Sequence, residues 1–435
     1  MSSPDPAQPT AQQLLQGYKA ARAEGRASEA DRLLTRAAQL APEHPAVLNE
    51  LGLRMMERGE ASRARELFER ATVADPRHPA LWSNLASSLH ALGLGELELA
   101  ALERALTLEP RHAPALLQKA ARLAERGDSR GAARIYRAAL ATVPTDVTLP
   151  PALTAALERA RTAVLADDAA LAATVEARVA SVRTSFGGAE FRRADHCIDL
   201  LIGKRTRYNP QPTFMYFPEI PVVEFLDRAE FPWLDAVESA TAEISAELTT
   251  AVLGPETCGL EPYVAYPDGV PLDQWRELNR SRRWSAYFLW NEGVPRAEHL
   301  ARCPHTAAVL ARAPLCDVPG HAPNVFFSIL DAHTHIPPHT GVTNTRLTVH
   351  LPLIVPEGCS FRVGSERREW AVGRAWVFDD TIEHEAWNGS DAPRAILIFD
   401  IWNPYLSEAE RGVVRAATEA VSDYYRTSTP GGAPD

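Results

Sequence analysis

Cysteine is scarce in this chain. The five cysteines (Cys197, Cys258, Cys303, Cys316 and Cys359) are scattered over 435 residues, form no C-x-x-C pair and are odd in number. A disulfide scaffold is therefore not expected, and a reducing, cytoplasmic setting is. Long apolar runs are missing as well, so no membrane-spanning helix is expected. The opening MSSPDPAQPT is polar and proline-rich and lacks the apolar core of a signal peptide. Positive charge is in deficit: 45 Lys and Arg face 56 Asp and Glu, a formal charge of −11. That balance speaks against a nucleic-acid-coating protein and against a polybasic membrane anchor. What remains is an ordinary globular composition, long enough for two or three domains.

The first third repeats itself. Pro42, Pro76, Pro110 and Pro144 recur every 34 residues, as do Gly25, Gly59, Gly93 and Gly127, and Ala37, Ala71, Ala105 and Ala139. Leu34 is echoed by Phe68, Leu102 and Tyr136 at the same spacing. A mid-repeat glycine, a small residue in the second helix and a closing proline at this period form the tetratricopeptide signature. Glycine makes the turn, alanine lets helices approach and proline stops the second helix. Four repeats, from about Ala11 to about Thr145, suffice for a stacked array. Glu98 stands where the other repeats have Ala30, Ala64 and Ala132, and a loosely packed turn is expected there. Such an array either supports the fold or offers a concave surface to a polypeptide.

The segment 151–182 is alanine-rich with helical periodicity and predicts capping helices that close the array. FGGAEF then breaks the helix. RRADHCIDLLIGK reads as helical, and NPQPTFMYFPEIP as extended and turn-rich. DRAEFPWLDAVESATAEISAELTTAVL predicts one strong amphipathic helix packed on the outside of a barrel. Trp284 to Gly293 alternates as a strand beside the pocket. The basic cluster Arg280 to Trp284 reads first as a solvated loop, with a substrate-carboxylate contact as the sharper alternative.

From Asn324 to Pro404, short runs of Val, Ile, Leu and Phe are broken by Pro, Gly and Asn. That pattern predicts a small antiparallel barrel or jelly roll. Histidines sit at strand ends, where side chains converge on a cavity: His339 before Thr340 and Gly341, and His384 after AWVFDD. Arg394 opens the next strand. Two imidazoles from distant strands suit a non-haem Fe(II) centre with open positions, and a guanidinium in the same barrel suits a carboxylate co-substrate such as 2-oxoglutarate. One such histidine alone is more often a satisfied core residue. Alternation in TRLTVHLPL puts Arg346, Thr348 and His350 on one face.

Three stretches, HIPPHTGVTNTRLTVHLPL (335–353), FDDTIEHEAWN (378–388) and RAILIFDIWNP (394–404), resemble the aspartyl/asparaginyl β-hydroxylases, a branch of the Fe(II)- and 2-oxoglutarate-dependent oxygenases. The upstream FPEIPVVEFLDRAEFPWLDAVE is also similar to that family, and the likeness runs roughly from Thr184 to Ala420. It implies a double-stranded β-helix, a jelly-roll or cupin-like domain with flanking helices. It also implies His339 and His384 as the iron ligands, Arg394 with Ser328 on the distal carboxylate of 2-oxoglutarate, and His350 near its other carboxylate. Arg346 would lie near substrate or co-substrate. The usual metal carboxylate, two residues after the first histidine, is replaced by Gly341. The family shares that gap, with water in the vacant place; iron halogenases have a similar gap that halide fills. A second arginine, often found in the family at position 348, is Thr348 here, which removes a positive charge from the pocket. His333 and His335 would suggest zinc by themselves, but they read better as strand-end or supporting residues. Asp379 and Asp380 read as turn or hydrogen-bonding carboxylates.

The expected organisation is therefore multidomain: an all-α tetratricopeptide solenoid over 11–148, capping helices over 149–183 and an oxygenase domain over 184–425. The implied reaction is O2-dependent hydroxylation of an unactivated C–H, at the β-carbon of Asp or Asn in a peptide or protein that the repeats help to present. An inactive interaction scaffold, or an oxygenase acting on a small molecule or lipid, is the alternative. No nucleic-acid or membrane partner is expected.

Overall fold

The computed structural model describes residues 9–143, 149–187, 190–254 and 259–427. It forms two compact units that divide between Asp195 and His196.

The first unit is a stack of helical hairpins: α1 (Ala11–Ala23) with α2 (Ala27–Leu40), α3 (Pro45–Glu57) with α4 (Ala61–Ala74), α5 (Pro79–Ala91) with α6 (Gly95–Leu108), and α7 (Ala113–Glu125) with α8 (Ser129–Leu140). Within each hairpin the turn glycine takes a positive φ: 74° at Gly25, 75° at Gly59, 71° at Gly93 and 83° at Gly127. Other residues adopt that conformation only at a cost, which accounts for the glycine repeat. Ala37, Ala71, Ala105 and Ala139 are completely buried, where a larger side chain would hold the helices apart. Pro42, Pro76 and Pro110 follow the second helices; Pro144 and Thr145 lie outside the described residues.

Glu98 overturns one expectation. Its helix is not loosely packed there: the residue is buried, and its carboxylate accepts from Arg122 Nε at 3.0 Å and Nη2 at 2.6 Å. His90 lies 3.4 Å away. The charge is tolerated because the next repeat supplies a guanidinium for it. The segment after the array is a single helix, α9 (Pro151–Ser185), rather than several. Its first half closes the array: Leu157 and Ala160 are buried with Leu116, Tyr136 and Ala139.

The second unit begins within α10 (Arg192–Leu201). The stretch expected to form one amphipathic helix is broken into a 3-10 turn at Arg228–Glu230, α11 (Leu234–Ser239), α12 (Thr241–Glu247) and a π turn at Leu248–Val252. Hydroxyls at the break bond back to the chain, Ser239 Oγ to the Asp235 carbonyl and Thr241 Oγ1 to that of Glu238, an alternative to continuing the ladder. The apolar face is still used as expected. Leu234, Val237, Ile244 and Leu248 share a core with Leu347, Val349, Leu351 and Leu397.

The strands are β1 (Glu261–Pro262), β2 (Trp284–Asn291), β3 (Val294–Pro295), β4 (Val325–Leu330), β5 (Thr334–His339), β6 (Arg346–Ile354), β7 (Cys359–Val363), β8 (Glu366–Glu369), β9 (Trp376–Phe378), β10 (His384–Asn388) and β11 (Arg394–Trp402). They form two antiparallel sheets. The larger has the order β1-β2-β4-β11-β6-β9, with β3 on β2; the smaller has the order β5-β10-β7-β8. A second core between them joins Leu330 and Ile396 of the larger sheet to Ile336, Phe361 and Ala386 of the smaller. Short helices α13 (Ala297–Arg302) and α14 (Pro304–Leu310) interrupt the strands, and α15 (Glu408–Thr427) follows them. Alternation along β6 does the sorting: Leu347, Val349 and Leu351 face the helices, while Arg346, Thr348 and His350 face a cavity of about 770 Å³.

Candidate active site

His339 is the last residue of β5 and His384 the first of β10, and the two are register partners across those strands. Their ring centroids lie 4.1 Å apart, and both line the cavity. Each ring is held in the same way. Nδ1–H of His339 donates to the Pro337 carbonyl at 2.8 Å, and Nδ1–H of His384 to the Ile382 carbonyl at 3.0 Å. A carbonyl can only accept, so each Nδ1 carries the proton and each Nε2 keeps its lone pair. Burial keeps both rings neutral: it lowers the pKa of His339 to about 4 and pushes that of His384 well below the usual histidine value, with the neighbouring His339 adding to the effect. Two neutral imidazoles with fixed tautomers are the donor set an imidazole-bound metal requires.

Deeper in the same cavity, Arg394 begins β11 and is 1% exposed. Its Nε and Nη1 have no partner among the described residues, and burial lowers its pKa to about 10. Its guanidinium lies over the Trp370 ring at 4.8 Å from the centroid. Beside it, His350 is held neutral by burial and by the Arg394 charge, with Nδ1 unpartnered. Ser328 also lines this cavity, and its Oγ accepts a hydrogen bond from Trp284 Nε1 at 3.1 Å. With that lone pair occupied, the Ser328 proton is free to be donated elsewhere. A buried cation without a counter-ion is costly, so the arrangement calls for an anionic ligand.

Arg346 and Thr348 also line the cavity. Arg346 Nη1 donates to Asp400 Oδ2 at 2.7 Å and lies 3.4 Å from the His321 carbonyl, while its Nε is buried without a partner. The Asp380 carboxyl group sits where a Cβ on Gly341 would be, so glycine is what leaves room for it. Burial raises the Asp380 pKa to about 7 against the pull of Arg346, and its Oδ1 has no partner. Asp379, by contrast, closes a turn by accepting from the Thr381 amide and hydroxyl.

Other candidates fall outside the cavity lining. His333 Nε2 contacts Asp391, and His335 stacks on Trp387 and contacts Glu385. Arg280 pairs with Asp268, and Arg283 donates to the His333 carbonyl. Among the described residues no group of three or more His, Cys, Asp or Glu is arranged to hold a metal, so a metal here would rest on the histidine pair. Sequence reasoning overlooked Asp400, Trp284 and Trp370. For Asp400 a signal was present: it follows Arg394 by an even number of residues on one strand and so shares its face.

A two-sheet barrel carrying a histidine pair and a buried guanidinium, preceded by a helical repeat array, defines the class. Consistent with it, residues 262–404 match the family model described as Aspartyl/Asparaginyl beta-hydroxylase, and residues 21–93 match the Tetratricopeptide repeat model. The chain is similar to the aspartyl/asparaginyl beta-hydroxylase of Mus musculus, 36% identical over 33% of this chain and 19% of that protein. It is 33% identical to the ornithine lipid ester-linked acyl 2-hydroxylase of Rhizobium tropici, over 42% of this chain and 62% of that protein. Aspartate beta-hydroxylase domain-containing protein 2 of Homo sapiens is 30% identical over 46% of this chain and 53% of that protein. The matched stretch thus spans between about a fifth and three fifths of these relatives' lengths. No helix among the described residues is long and apolar enough to cross a membrane.

Proposed function

We propose that this chain is an Fe(II)- and 2-oxoglutarate-dependent dioxygenase that hydroxylates a C–H bond, at the β-carbon of an Asp or Asn residue in a peptide or protein. The observation that carries this reading is the pairing of two neutral, tautomer-fixed imidazoles with an unpartnered buried guanidinium in one cavity. When bound, the iron, the co-substrate and dioxygen would supply the oxidising chemistry at the C–H bond. The protein's own part is to bind and orient. His339 and His384 would hold the metal through Nε2, and their carbonyl clamps keep both rings from turning. Arg394 and Ser328 take the distal carboxylate, with Trp284 holding the serine oxygen so that its proton points to the ligand. His350 lies beside them, neutral, for the other carboxylate. Trp275 and Trp284 stand within 5.0 and 6.3 Å of the His339 ring, keeping that side dry. The tetratricopeptide array is a surface suited to a polypeptide.

A second reading, hydroxylation of a lipid acyl chain, is supported by the similarity to the Rhizobium tropici acyl hydroxylase and by half-exposed Tyr263, Tyr266 and Val342 along the cavity. The test is succinate release from 2-oxoglutarate with Fe(II), with peptide or acyl-lipid additions, followed by mass spectrometry for a gain of one oxygen. Stimulation by peptide supports the first reading and by lipid the second. No iron uptake and no 2-oxoglutarate binding would instead leave a repeat-based interaction protein.

A further inference from the structure

The cavity wall carries two buried polar atoms that the histidine pair and Arg394 do not account for. One is a donor, Nε of Arg346, and the other an acceptor, Oδ1 of Asp380; neither has a partner among the described residues. Both side chains line the same cavity, and each acts on the other's charge. Both are pinned. Asp400 Oδ2 fixes the Arg346 guanidinium and also accepts from the Asn324 amide at 2.9 Å and its Nδ2 at 3.2 Å. The Asp380 carboxyl group lies in the space Gly341 leaves, and the Gly341 amide donates to the Asp380 backbone carbonyl at 2.7 Å. A buried donor and a buried acceptor left without partners on one cavity wall are costly unless a ligand fills both.

We infer that this donor–acceptor pair reads a primary carboxamide, so that the reacting side chain is asparaginyl rather than aspartyl. The inference rests on the oxygenase reading above and narrows its substrate. The carboxamide oxygen accepts from Arg346 Nε–H, and the carboxamide N–H donates to Asp380 Oδ1. Above about pH 7, where Asp380 is ionised, a carboxylate can satisfy only the first contact and sets an acceptor of like charge against Asp380. Charge on the wall points the same way. Among the described lining residues two guanidinium groups, Arg346 and Arg394, stand against three carboxyl groups, Asp380, Glu383 and Asp400, so the wall has no positive excess for a substrate carboxylate once Arg394 takes the co-substrate. Thr348, neutral where an arginine would compete for Asp380, is the specificity-determining position.

The test uses the full chain loaded with 2-oxoglutarate and Mn(II), and two libraries of blocked peptides with randomised flanks that differ only in a central Asn or Asp. The Asn library should be retained at least about tenfold better, the equivalent of ~1.4 kcal/mol. Asp380→Asn should erase that preference, because its amide can donate to a carboxylate, and Thr348→Arg should reverse it. Equal retention, preference for Asp, or retention of neither library while 2-oxoglutarate still binds would overturn the carboxamide assignment and leave the oxygenase reading standing. Failure of 2-oxoglutarate itself to bind would overturn the oxygenase reading.

Discussion

The repeat array and the barrel treat buried charge in opposite ways. In the array, Glu98 is buried but fully engaged, bridged by Arg122 from the following hairpin. In the barrel, Arg394 is buried just as deeply, yet two of its nitrogens have no hydrogen-bond partner among the described residues. Both arrangements forgo hydration, but only the first recovers it internally. A scaffold closes its own polar accounts; a binding site leaves them open for a visitor.

The sharpest way to break that contrast is Arg394→Met. Affinity for 2-oxoglutarate measured by calorimetry should fall at least about 100-fold, as expected when a desolvated ionic contact is lost. Because the native cation has no partner, the melting temperature should hold or rise, whereas a structural arginine would lower it. Glu98→Ala should do the reverse. Denaturant unfolding should show a loss of about 2 kcal/mol, since the charge-assisted hydrogen bonds from Arg122 are lost while Arg122 keeps Glu125, with 2-oxoglutarate affinity unchanged. Gly341→Asp should cost about 1–3 kcal/mol, because its Cβ collides with the Asp380 carboxyl group, and should bring no gain in metal affinity. The most confined effect, limited to a window of pH, is on the pH dependence of stability. In the metal-free protein, the folded His339 pKa of about 4 lies below the unfolded value of about 6.5. Between those values the unfolded chain binds a proton that the folded chain does not, so stability falls as pH drops through that window and is flat above it. His339→Gln should make the melting curve against pH shallower there, with the buried His384 and His350 supplying the slope that remains; an unchanged slope would show that the ring is not held neutral.

Local pattern disclosed the repeats, the strand ends and the alternation that turns Arg346, Thr348 and His350 inward, because each depends on spacing along one segment. It did not disclose the break at Ser239–Thr241, where side-chain hydroxyls compete with a helix that the apolar periodicity favours. Nor could it find the Trp284–Ser328 contact, which depends on how β2 lies against β4, or the burial of Glu98, which depends on the next repeat. Register between strands and the identity of a packing partner are not written in any single stretch of chain. The roles of His339, His384 and Arg394 came from strand-end position together with family likeness, and the structure adds to them the carbonyl clamps and the empty valences.

The direct register pairing of His339 with His384 has one more effect. Strand side chains alternate between faces, so a chain threaded one residue out of step would turn one imidazole away from its mate. Under the proposed reading such a molecule offers a lone nitrogen and cannot capture the ion. Loading would then act as a proofreading step on assembly, admitting to service only those copies whose β5 and β10 have paired in the right phase.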